Sequence, residues 1–149
     1  MNKKGVTLIE LVVVFVIIAI AAALIAPNIG GWLPRYRLRS ATRDIVSTMR
    51  DAQMKAMRKG FQYQVDFNVG SNSYILQYNS GGLFPDGPVR TAPSGITVIN
   101  SLPGGIALFN ADSTCTPGII TLSYQKGGIT QAQKRIVLNA ATGRVRIVE

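Results

Sequence analysis

Residues 11–26 read LVVVFVIIAIAAALIA, without one polar side chain. A helix that is apolar on every side must be covered by a protein core or by lipid. Carried back to Val6, the stretch is interrupted only by Thr7 and Glu10, and as a helix it would be roughly 31 Å long, against a hydrocarbon core of about 30 Å. A short basic prefix, MNKKG, precedes it. An ordinary transmembrane anchor meets this pattern. So does a secretory signal with a basic start, an apolar middle and the small residues Ala19 to Ala23 near its end. Neither needs Glu10. A carboxylate at the centre of a membrane helix costs about 2.5–3.5 kcal/mol on the insertion scale, and less near an end. An acid kept inside such a run is a sign of function.

Composition narrows the chemistry. The 149 residues include no histidine and one cysteine, Cys115. Imidazole-based triads, proton shuttles and His-ligated metal sites are therefore excluded, as are an internal disulfide, a CxxC redox pair and a cysteine-held iron–sulfur cluster. The 7 carboxylates are scattered, and the formal charge is +9. An enzyme is the poorest of the broad readings, and no cofactor or metal is implied.

Lys3-Lys4-Gly5-Val6-Thr7-Leu8-Ile9-Glu10 followed by the apolar helix resembles the leader of type IV pilins and pseudopilins. The resemblance implies cleavage by a prepilin peptidase after Gly5, methylation of the new amino terminus on Val6, and a filament-assembly role for Glu10, which in that family neutralises the amino terminus of a neighbouring subunit. A carboxylate in an apolar setting is tolerable when a cation pairs with it, and cleavage creates one. The family usually has Phe where this chain has Val6. Pro27 matches a proline that many pilins carry; it is expected to kink the helix, with Asn28, Gly30, Gly31 and Pro34 extending a soft segment. Arg35, Arg37, Arg39, Arg43 and Arg50 run against the positive-inside bias set by Lys3 and Lys4. That bias is weak for long domains, so the leader motif decides and the domain is expected in the periplasm.

From Pro34 to Lys59 a second, amphipathic helix is expected. Leu38, Ala41, Ile45, Met49, Ala52 and Ala56 recur at steps of three and four and share one face. Arg35, Arg39, Arg43 and Arg50 share another, roughly 100° away at about 100° per residue. That stripe reads either as a solvated face or as a contact for acidic neighbours, lipid headgroups or nucleic acid. Arg58, Lys59 and Gly60 suit a helix end.

The period then becomes two. Phe61, Tyr63, Val65 and Phe67 alternate with Gln62, Gln64, Asp66 and Asn68, as in a half-buried strand. Residues 70–73 read as a turn and 74–78 as the returning strand. Residues 79–93, rich in Gly and Pro, read as a loop. Further strands are expected at 96–100, 106–110 and 119–125, with turns at 103–105 and 126–128, and a last hairpin at 135–139 and 144–148. The sum is α+β: a long helix, its first half apolar and its second half packed on the domain, then antiparallel sheet. The expected division is leader 1–5, transmembrane and assembly helix 6–33, and periplasmic globular domain 34–149. This layout resembles the GspH/FimT group of minor pilins and pseudopilins.

Gly143-Arg144-Val145-Arg146 stands out in the last hairpin. Residues two apart in a strand share a face about 7 Å apart, and arginine's fork suits phosphate. The string also looks like the GRxR motif through which FimT-type minor pilins bind DNA in natural transformation. The resemblance implicates Gly143, Arg144 and Arg146 in binding double-stranded DNA, and Lys134 and Arg135 on the partner strand can extend the patch. The alternative is an edge strand kept soluble by its charge. Tyr74, Tyr78 and Tyr124 can stack bases, but their strand positions favour packing. Residues 110–114 place oxygen side chains at alternate positions, yet with one carboxylate and no closing Glu they make a poor calcium loop. Cys115 is either buried or paired with another protein's cysteine.

The sequence is therefore expected to be a filament subunit of the type IV pilus class. It would be anchored in the inner membrane by a single span and partnered by other pilin subunits, the prepilin peptidase and membrane lipid. A role in DNA capture stands beside that of a structural GspH-like pseudopilin of a type II secretion system or an assembly primer. A membrane-anchored periplasmic protein that never polymerises is the third reading.

Overall fold

The computed structural model describes residues 5–25, 29–68 and 72–148. The chain divides into two compact units, residues 1–33 and 34–149. In the first unit, helix α1 spans Leu8–Ile25. Its apolar side chains are exposed on all sides, from Leu8 at 83% to Leu24 at 76%. Among the described residues no helix is long and apolar enough to cross a membrane: the 18 residues of α1 rise about 27 Å. Pro27 and Asn28 lie outside the described residues, as do Lys3 and Lys4 and residues 70 and 71 of the expected turn.

Helix α2 spans Ile29–Lys59, five residues earlier than expected. It runs through Gly30, Gly31 and Pro34, where the sequence suggested a soft segment. Proline's fixed φ is already helical, and in the first turns its missing N–H removes one intrahelical bond. Every residue of the expected apolar face is buried, with Met49 at its centre wholly inaccessible. Two threonines are buried beside it. Thr42 Oγ1 donates to the Leu38 carbonyl at 2.7 Å and Thr48 Oγ1 to that of Asp44 at 2.9 Å. Each hydroxyl is thus satisfied within the helix and can enter the core without an orphan donor.

The second unit continues with β1 (Gln62–Asp66), β2 (Ser73–Asn79), β3 (Leu83–Pro85), β4 (Arg90–Thr91), β5 (Ile96–Asn100), β6 (Ile106–Phe109), β7 (Gly118–Lys126), β8 (Ile129–Leu138) and β9 (Val145–Val148). One antiparallel sheet has the order β3-β2-β1-β6, with β4 also paired to β2; the other has the order β5-β7-β8-β9. A single core joins α2 to both sheets. Tyr63, Val65 and Phe109 come from the first sheet and Ile120, Leu122 and Ile136 from the second. This is the expected α+β architecture, and the strands expected at 96–100, 106–110 and 144–148 are found at 96–100, 106–109 and 145–148.

Two expectations are corrected. The stretch 79–93 is not all loop, because β3 and β4 pair with β2. Both are exposed and carry no alternation, so only the open edge of β2 makes them strands. Gln64 does not face water as period two required. It is buried, opposite Gln77, and its Nε2 donates to the Gln77 Oε1 at 2.8 Å. A side-chain amide pairing across two strands satisfies both groups and lets a central strand bury a polar position.

The segment carrying β3 and β4 is clasped to α2. Tyr74 Oη donates to Asp44 Oδ2, and Arg90 Nη1 reaches Asp44 Oδ1 at 2.7 Å. Lys55 bridges Asp51 at 2.9 Å and Asp86 at 3.1 Å. Burial, reinforced by the Asp44 carboxylate, pushes the Tyr74 phenol well above its ordinary value. The unfolded chain releases this proton first, so the stabilisation is full below about pH 10 and declines as pH rises beyond it. The Lys55 ammonium, raised chiefly by its hydrogen bond to Asp51, acts in the same direction. Melting temperature is therefore expected to fall as pH rises above about 10. Tyr74→Phe is expected to make that alkaline drop shallower and to cost about 1 kcal/mol at neutral pH, read by thermal denaturation across pH.

Candidate functional site

At the start of the chain, Gly5, Val6 and Thr7 are non-helical and exposed, immediately ahead of α1. The Gly5–Val6 bond is thus exposed. Thr7 caps α1: Glu10 N donates to Thr7 Oγ1 at 3.3 Å, and Glu10 Oε2 accepts from Thr7 N at 3.4 Å. The reciprocal arrangement is a capping box, and the negative charge also suits the positive end of the helix. T-x-x-E just before an apolar run is its sequence signature, a signal that points to Glu10 for a local reason as well as a functional one. Glu10 remains exposed, at the end of a helix whose whole surface is apolar.

In the globular unit the last hairpin sits against α2. Asn139 N donates to the Arg144 carbonyl at 3.1 Å, closing the turn. Arg144 precedes β9, and Arg146 lies within it. Val145, between them, enters the core. Arg144 and Arg146 border a groove of about 670 Å3 whose other wall is Arg50, Gln53 and Met54 of α2. Both arginines thus border a groove that Arg50 of α2 also lines, although the pairing of Arg146 with Val137 turns the Arg146 side chain to the face away from the helix. The sequence placed Arg50 in a stripe but gave no reason to join it to the hairpin.

Gly143 has a packing role in the hairpin. It is buried, with φ of +60°. A Cβ there would stand 2.2 Å from the Ser113 carbonyl oxygen and 2.5 Å from Gln53 Nε2. It lets the hairpin turn close onto α2 and the 110–117 loop, so it positions Arg144 without itself facing a ligand.

Lys134 and Arg135 are separated by the pleat. Lys134 is in phase with Ile136 and Leu138, on the side facing α2, where it lines clefts with Arg39 and Arg43. Arg135 points to the opposite face with Val137. Because Val137 pairs with Arg146 and Arg135 with Val148, Arg135 and Arg146 are diagonal neighbours there, about 7–8 Å apart. Only Arg135 thus extends the Arg146 side, while Lys134 belongs to the helix-side seam.

The remaining candidates pack inward. Tyr74 is buried against Asp44, and Tyr78 and Tyr124 lie partly buried against the core. Cys115 is buried, and its Sγ donates to the Asn139 carbonyl at 3.2 Å. Burial pushes its thiol upward, away from the reactive thiolate. In the 110–114 loop, Asp112 Oδ1 accepts from Thr114 N at 2.9 Å and Thr114 Oγ1 at 2.6 Å, and these bonds hold its carboxyl below the usual range. Among the described residues no group of acidic or sulfur ligands gathers as a metal site would require.

Comparisons with known proteins agree with this geometry. Residues 1–26 match the prokaryotic N-terminal methylation motif. In fold the chain is similar to the minor pseudopilin EpsH from the type 2 secretion system of Vibrio cholerae. That similarity has 14% identity and a TM-score of 0.65, over 75% of this chain and 96% of that one. It is also similar to the type IV minor pilin FimU of Pseudomonas aeruginosa, at 14% identity and a TM-score of 0.62, over 77% of this chain and 90% of that one. No curated protein matches the sequence. The chain thus joins a prokaryotic N-terminal methylation motif to a fold similar to those of a minor pseudopilin and a type IV minor pilin.

Proposed function

We propose that the chain is a minor subunit of a type IV pilus-type filament, cleaved after Gly5, methylated on the Val6 amine and held in the inner membrane by residues 6–33 until it assembles. The observation that carries this is α1: an entirely apolar, entirely exposed helix with a single carboxylate in its first turn. Such a surface is unstable in water and needs lipid before assembly and neighbouring helices after it. Glu10 then meets the Val6 amine of an adjacent subunit, and the globular unit is displayed on the periplasmic side. The test is the mass and amino-terminal sequence of the chain recovered from its own cells. The expected result is a chain that begins at Val6, carries one added methyl group and co-purifies with filaments. A chain that begins at Met1 and sediments alone would refute the reading.

Arg50, Arg144 and Arg146 all border one groove, and this supports a second role, capture of duplex DNA through its phosphates. Changing all three to Gln is expected to lower affinity at physiological salt by a factor of 10 or more and to flatten the salt dependence by about three contacts' worth of slope. Equal loss of binding with salt in both proteins would leave the structural role of a secretion pseudopilin as the reading.

A further inference from the structure

The cationic seam continues beyond the Arg50–Arg146 groove. Toward the start of α2, Arg35, Leu38 and Arg39 face residues 131–134 of β8 across a cleft of about 240 Å3. One turn further on, Arg39, Thr42 and Arg43 face Lys134 and Ile147 across a second of about 430 Å3. Arg39 and Lys134 line both, so the two clefts adjoin along one channel-like seam between α2 and β8. Its floor is apolar where Leu38 and Ala132 meet the core. Among the described residues no carboxylate lines it, and Arg35, Arg39 and Arg43 enter no ion pair.

The channel calls for an anion attached to an apolar body, and its place along the chain says which. Counted along α2, Arg35, Arg39 and Arg43 come about 3, 9 and 15 Å after Leu33, the last residue of the segment read as the anchor. The polar layer on each side of a bilayer is roughly 5–7 Å deep, so the first two arginines fall at or just beyond it. Trp32 and Tyr36 are exposed at this level, and tryptophan and tyrosine are the side chains enriched at membrane–water interfaces. Guanidinium forks bind phosphate oxygens two at a time. Duplex DNA reaching the same arginines would have to enter a layer of phosphates that repels it.

We propose that the channel between the start of α2 and β8 binds the phosphodiester headgroup of an anionic phospholipid. This rests on the anchoring described under Proposed function. The bound lipid steadies the globular unit at the bilayer, and leaving it is part of what extraction into a filament must overcome.

The test uses the full chain in nanodiscs containing equal phosphatidylglycerol and phosphatidylcholine, with retained lipid read by native mass spectrometry. The wild type is expected to retain phosphatidylglycerol preferentially, and Arg39→Gln with Arg43→Gln to reduce that preference roughly tenfold. Arg144→Gln with Arg146→Gln is expected to leave it unchanged. Equal retention of the two lipids overturns the proposal, as does a preference that survives the Arg39/Arg43 change. Displacement of the lipid by excess inorganic phosphate would identify a free-phosphate site instead and also overturns it. A duplex-DNA affinity that falls in the Arg39/Arg43 variant while lipid preference holds overturns it in favour of nucleic acid. An alkaline wash separates the two readings. A chain that washes off the bilayer refutes the anchoring, and this proposal with it. A chain that stays but shows no lipid preference refutes this proposal alone.

Discussion

Glu10→Gln is expected to abolish incorporation of the subunit into filaments while leaving α1 folded. This substitution separates the observed helix cap from the proposed assembly contact. In the chain as it stands, Glu10 completes a capping box with Thr7 at 3.3–3.4 Å, long bonds of modest worth, and glutamine serves equally well at that capping position. In an assembled filament the same carboxylate would be enclosed by apolar helices and paired with the Val6 amine. Removing one partner of a buried pair costs about 3–5 kcal/mol, because the other charge is left uncompensated. That corresponds to a loss of more than about 100-fold in the assembly equilibrium. Circular dichroism of the variant in detergent should be unchanged, and the pelletable filament fraction should lose the subunit. Glu10→Ala, which removes both roles, should do no worse in assembly. Normal incorporation of Glu10→Gln would reduce Glu10 to a helix cap and sink the assembly contact.

Gly143→Ala is expected to be the most destabilising conservative change in the globular unit. The new methyl group would overlap the Ser113 carbonyl, a backbone atom, and the end of Gln53, in a backbone at φ of +60°. The left-handed conformation costs an alanine roughly 1–2 kcal/mol, and forced repacking costs about 1–3 kcal/mol more. The melting temperature should fall by roughly 10 °C. Gly127→Ala is the internal control. Its φ is also +60°, but nothing lies within 4 Å of an added Cβ, so it should show the conformational cost alone. If the two variants melt together, the contact with Ser113 and Gln53 carries no weight.

The glycine of the Gly143-Arg144-Val145-Arg146 string shows that a residue quoted within a motif can be held there by packing. The string marks the place where the charges gather, but its first residue is there for packing. Lys134 and Arg135 show the complementary limit. Adjacent in sequence and alike in charge, they are sent to opposite faces because a strand alternates, and which face is which depends on where α2 lies. Gln64 broke its own alternation only because Gln77 stands opposite it.

By itself the sequence determined the apolar helix, the amphipathic face of α2 and most of the strands. Each of these depends on residues within a few positions of one another, through helical or strand period, capping and turn chemistry. The tertiary structure alone decided that Arg50 joins Arg144 and Arg146, that Gly143 is buried, that β3 and β4 are strands, and that Arg39 and Arg43 share a channel with Lys134. These depend on atoms brought together from segments far apart in the chain, and no local pattern encodes such meetings.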